Sequence, residues 1–79
     1  MEIGERTIQT LRQARAARML TVRALAEAAN CSPHTVHEVE RGKRVPRFDT
    51  VRRLSAALGV EPEGIAEFRR ALMIEEERA

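Results

Sequence analysis

Two constellations in this 79-residue chain have the residue types and spacing to do chemistry. The first is Cys31, His34 and His37, which one face of a helix could turn towards a metal ion. A structural zinc takes four ligands, and the fourth would have to be Glu38 or a group from a partner. Cys31 also falls just ahead of a helix cap, where a cysteine serves as a small buried hydrophobe. No metal and no cofactor are expected. The second constellation is Pro33, His34, His37, Glu38 and Arg41, followed at once by Lys43, Arg44 and Arg47. Hydrogen-bonding heads on one side of a helix, backed by a basic loop, suit a polyanion rather than a small substrate. Neither a Cys–His or Ser–His arrangement in a cleft nor a glycine-rich phosphate loop is apparent, so no enzyme is expected.

The charge distribution agrees. Residues 6–53 carry eleven Arg or Lys against four Asp or Glu, whereas residues 54–79 reverse the sign with three bases against six acids. One basic face with an acidic end points to a polyanionic partner. The single cysteine cannot form an internal disulfide, which fits a reducing cytoplasm. No apolar run approaches the roughly 20 residues of a membrane helix, so no membrane partner is expected.

The elements that must position these groups are helices. Ala, Leu, Arg and Glu dominate, Trp and Tyr are absent, and apolar residues recur at helical spacing. A first helix is expected from Glu5 to Arg18, with Ile8, Leu11 and Ala14 on one stripe. Thr21 caps a second over Val22–Ala29, with Leu20 and Leu25 as a hydrophobic staple. Asn30 supplies the left-handed exit, and Ser32 caps a third helix with Pro33 in its first position. Cys31 and Val36 repeat the staple, and Gly42 stops that helix after Arg41. A fourth runs from Phe48 to Leu58 with Phe48, Val51, Leu54 and Leu58 on one face, and Gly59 ends it. A fifth begins around Val60-Glu61-Pro62. The expected architecture is all-α: one domain over residues 1–79, with its core over about 5–68 and a helical extension over 69–79.

At the centre, Leu25, Ala26 and Ala29 face Val36 and Val39 across a turn of about three residues. Such a pair forms a helix-turn-helix and leaves the outer side of the second helix free of core duties. Over roughly residues 8–68 the chain resembles the Cro/phage-repressor (Xre-type) helix-turn-helix family. Leu20-Thr21, Leu25-Ala26, Val36, Val39-Glu40-Arg41-Gly42-Lys43, Pro46 and Leu54-Ser55-Ala56-Ala57-Leu58-Gly59-Val60 carry the resemblance.

That resemblance implies a compact five-helix, lambda-repressor-like DNA-binding domain, dimeric on a two-fold symmetric operator. It implies that helix 33–41 enters the major groove, with Pro33, His34, His37 and Glu38 reading bases. Thr21, Arg23, Ser32, Thr35, Arg41, Lys43 and Arg44 then meet phosphates, and Arg47 reaches phosphate or the minor groove. Arg15 pairs with Glu40, which also makes sense because a glutamate near a helix C-terminus opposes the dipole and wants a cation. The implied role is a transcriptional regulator, a repressor or autoregulator, cytoplasmic and nucleoid-associated.

Three residues depart from the family pattern. Val22 stands where a phosphate-anchoring Gln is usual, and Met19 replaces a common Gly and is expected to stiffen or redirect the turn after the first helix. Glu38 turns a negative charge towards DNA, useful there only if it accepts from a cytosine amino group. The alternative from another class is an antitoxin or protein-interaction module on the same fold, with a protein partner. In the tail, Ile65 and Phe68 are expected to close the core, Leu72, Met73 and Ile74 to offer a homodimer contact, and Glu75–Glu77 to be solvated.

Overall fold

Short polar side chains start the first three helices, and a left-handed residue closes each of the first four. The computed structural model describes residues 8–78, with side chains from Ile8 to Ile74. In chain order the helices are α1 (Leu11–Ala17), α2 (Val22–Ala28), α3 (Pro33–Glu40), α4 (Phe48–Leu58) and α5 (Ala66–Arg78), with a 3-10 turn at Pro62–Gly64 before the last. Thr10, Thr21 and Ser32 cap α1, α2 and α3, each hydroxyl accepting from the amide three residues on at 3.0 Å.

The exits are built alike. Met19, Asn30, Gly42 and Gly59 all have positive φ, from 56° to 74°. At each, the next amide reaches back to the last helical turn: Leu20 to the Arg15 carbonyl, Cys31 to Ala26, Lys43 to Glu38 and Val60 to Ser55, at 2.9–3.1 Å. These paired bonds satisfy carbonyls that would otherwise be orphaned. Met19 therefore does not redirect its turn. It takes the conformation that Gly42 takes freely, with its side chain 91% exposed. For a residue with a Cβ that backbone is strained.

The first helix starts later than its apolar stripe suggests. Residues 8–10 are not helical, and Ile8 is half exposed; Glu5, Arg6 and Thr7 lie outside the described residues. The reason is a competing partner. Gln9 forms a parallel bridge with Ile65, its amide donating to the Gly64 carbonyl at 2.9 Å while its carbonyl accepts from the Ala66 amide at 2.8 Å. Thr10 and Gln13 then cap each other reciprocally. Glu67 on α5 adds a cap from 56 residues away, accepting from the Leu11 amide at 2.8 Å.

One core joins all five helices: Leu11 and Ala14, Leu25, Ala26 and Ala29, Val36 and Val39, Val51, Leu54 and Leu58, and Ile65, Phe68 and Ala71. Leu20 and Cys31, the outer members of the two staples, are partly buried against it, as is Val60. Phe48 is the exception on its stripe, 39% exposed because it opens α4 ahead of the turn that meets the core. α5 runs unbroken through residue 68, and its Ala71 adds to the core. Beyond it, Leu72 is half-buried while Met73 and Ile74 are exposed; the side chains of Glu75–Glu77 lie outside the described ones. Among the described residues no helix is long and apolar enough to cross a membrane.

Candidate nucleic-acid interface

The sequence splits α3 lengthwise. Val36 and Val39 are fully buried in one cluster with Leu25 and Ala26 of α2 and with Ala29 just beyond it. Pro33, His34, His37 and Arg41 are exposed on the opposite side, and Glu38 is half-buried between the two. No described side chain bonds to His34 or to the Glu38 carboxylate. Arg41 donates from Nη1 to Nε2 of His37 at 3.1 Å, one turn earlier on the same face.

The N-terminal turn of α3 opens onto the loop that follows it. Ser32 and Thr35 share a hydroxyl–hydroxyl bond of 3.0 Å, and Arg44 folds back to donate to Thr35 Oγ1 at 3.3 Å. Between this turn, the loop and α4 lies an open groove of about 570 Å³, lined by Ser32, Thr35, Arg44, Arg47, Thr50 and Arg53 among others. Pro46 is buried and pins the loop, while Lys43, Arg44 and Arg47 are exposed. Hydroxyls and guanidiniums around one trough can hold an anion.

Arg53 belongs to this surface, and sequence reasoning missed it. Its Nε donates to the Ala29 carbonyl at 2.9 Å, tying α4 to the end of α2, and its Nη1 pairs with Asp49 at 3.1 Å. That hydrogen bond holds the Asp49 carboxyl below its ordinary range, with the Arg53 charge helping. The i,i+4 spacing of Asp49 and Arg53 was the available signal.

Behind α3, Arg15 anchors its C-terminal end. Its Nε and Nη2 donate to the two Glu40 oxygens at 2.6 and 3.2 Å, and its Nη1 donates to the Leu20 carbonyl at 2.9 Å. The bond to Glu40 holds the guanidinium above its usual range, outweighing the desolvation that opposes it. One arginine thus fixes the end of α3 to α1 and to the α1–α2 turn. Arg12, Val22, His37 and Arg41 surround this pair in a shallow pocket of about 440 Å³; Arg12 too was missed.

The remaining sequence-derived residues are spread out. Thr21 and Arg23 are exposed at the start of α2, and no described polar side-chain contact joins them to the outer side of α3. Cys31 lines the groove wall, half-buried; burial pushes its thiol up, and the nearby Arg53 charge offsets only part of that. Among the described residues no three His, Cys, Asp or Glu side chains converge as metal ligands would.

Known proteins resemble this chain in sequence and fold. A family model described as a helix-turn-helix domain matches residues 9–68. RghRB of Bacillus subtilis (strain 168), named as an uncharacterized HTH-type transcriptional regulator, is 41% identical over 58 residues, which cover 72% of this chain and 42% of that protein. The chain thus spans about two fifths of that relative's length. The crystal structure of the restriction-modification controller protein C.AhdI from Aeromonas hydrophila superposes with a TM-score of 0.66 at 33% identity, over 68% of this chain and 82% of that one.

Proposed function

Because the chain belongs to the helix-turn-helix domain family, of the Cro/phage-repressor (Xre) type that its motifs resemble, we propose that it is a sequence-specific DNA-binding transcriptional regulator. The observation that carries this reading is the division of α3, with Val36 and Val39 fully buried and Pro33, His34 and His37 exposed beside a basic loop. A helix so presented can lie in a major groove of B-DNA without rearranging the core. Pro33, His34, His37 and Glu38 face base edges. Ser32, Thr35, Arg41, Lys43, Arg44 and Arg47 hold one stretch of backbone, and Thr21 and Arg23 hold another.

The role is that of a repressor or autoregulator, non-enzymatic, free of cofactors, and acting in the cytoplasm at the nucleoid. The active species is a homodimer on a two-fold symmetric operator, joined through the end of α5, where Met73 and Ile74 are exposed. Residues 8–78 act as one unit, with 69–78 extending the last helix.

A second reading rests on Glu38 and Val22: an acid without a described partner on the outer side of α3 and an apolar residue at the start of α2 also suit an antitoxin or protein-interaction module. Salt dependence separates the two. Duplex binding that engages six or more phosphates should weaken by about a thousandfold between 50 and 200 mM salt. Absence of duplex binding even at low salt, with the protein folded, favours the second reading.

A further inference from the structure

The bond between Arg41 and His37 has a consequence for what α3 can read. A guanidinium has five N–H donors and no acceptor. An imidazole nitrogen that receives one of them must offer its lone pair, so the proton of neutral His37 sits on the other nitrogen, Nδ1. The surroundings leave the ring little choice. In the pocket it shares with Arg12, Arg15, Val22, Glu40 and Arg41, the one carboxylate is taken by Arg15 at both oxygens. Val22 brings no polar side-chain atom, where a glutamine would bring both a donor and an acceptor. Arg41 keeps its remaining N–H groups for a phosphate oxygen.

We propose that Arg41 is a positioning residue that locks His37 in the Nδ1–H tautomer, making His37 a donor that selects guanine in the operator. This rests on α3 being the reading helix. Guanine presents two adjacent acceptors, N7 and O6, in the major groove, and one free N–H shared between them favours guanine over adenine, whose N6 amino group would face it as a second donor. Glu38, the next residue, is acceptor-only and takes the amino group of a cytosine. His37 on the outer side of α3 and Glu38 at its half-buried edge thus offer a donor and an acceptor to neighbouring base pairs, which suits G·C-containing steps. The backbone, through Arg41, and the base, through His37, are read by one coupled pair.

The first test needs no DNA. Long-range proton–nitrogen NMR of the free protein at pH 8 reads the tautomer of each histidine, and His34, without a described partner, is the internal reference. We expect Nδ1–H at His37, a shift towards Nε2–H in Arg41→Met, and retention of Nδ1–H in Arg41→Lys, which keeps a donor. Both changes are at an exposed position, and spectral dispersion verifies the fold. Nε2–H at His37 in the wild type, or a tautomer indifferent to Arg41→Met, overturns the inference whether or not the protein binds DNA.

The second test uses the selected duplex with 7-deazaguanine, which lacks the N7 acceptor, at each guanine in turn. One position should weaken wild-type binding by about fivefold, the size of a single hydrogen bond, and should cost His37→Ala nothing further. Equal losses in both proteins overturn the guanine assignment. Failure of any duplex to bind overturns the regulator reading and leaves the NMR result standing.

Discussion

Arg15 and Glu40 meet at 2.6 Å between α1 and the last turn of α3, with only 15% and 8% of their side chains exposed. This pair ties the end of α3 to α1 and so helps to fix how α3 is presented. Removing Arg15 leaves a carboxylate buried without its cation and the Leu20 carbonyl without its donor. Arg15→Ala should therefore cost about 2–4 kcal/mol in urea unfolding. Replacing both members with apolar residues, Arg15→Met with Glu40→Leu, should recover much of that loss. A double variant no more stable than the single one would show that the damage is not electrostatic.

Met19 holds a backbone conformation that suits glycine, with φ 58° and a side chain 91% exposed. Relief of left-handed strain is worth about 1–2 kcal/mol, and the added freedom of an unfolded glycine takes back part of it. Met19→Gly should raise the melting temperature by a few degrees. A lower melting temperature would mean that the methionine makes a stabilising contact in solution.

Cys31 should react slowly. Burial raises its thiol, and the thiolate is the reacting form. Its alkylation rate at neutral pH should lie below that of a cysteine peptide and keep climbing at pH values where the peptide has levelled off. Because Cys31 lines the groove beside Arg44 and Arg47, a bound duplex should slow the reaction further. Rapid alkylation unaffected by DNA would place the duplex elsewhere.

The two kinds of contact on this surface predict different losses. Arg44→Ala should weaken all duplexes alike and reduce the salt slope by about one. Glu38→Ala should leave most affinity intact and relax preference at a single position. Competition between matched and mismatched duplexes measures both, and a uniform loss from Glu38→Ala would remove it from base reading.

What was legible in the sequence was local. Thr21 and Ser32 ahead of apolar periodicity, and Asn30, Gly42 and Gly59 behind it, mark helix ends by their own backbone chemistry, and α2, α3 and α4 follow from them within a residue. Thr10 with Gln13 carries the same kind of signal, a threonine three residues before a glutamine, and locates the start of α1 better than the stripe through Ile8 does. What was not legible was long-range. Nothing near Gln9 announces its bridge to Ile65, and nothing near Leu11 announces Glu67 as its cap. The basic groove shows the same divide: Arg44 and Arg47 stand out in the loop, whereas Arg53 joins them only once α4 has packed against the end of α2.

The central claim is that the outer side of α3 reads a duplex. Repeated selection of bound sequences from a pool of random duplexes tests it most directly. We expect enrichment of one motif, two-fold symmetric, with a G·C pair in each half-site that Glu38→Ala no longer requires. Retention of duplexes without any shared sequence, or of none at all in dilute buffer, would contradict it.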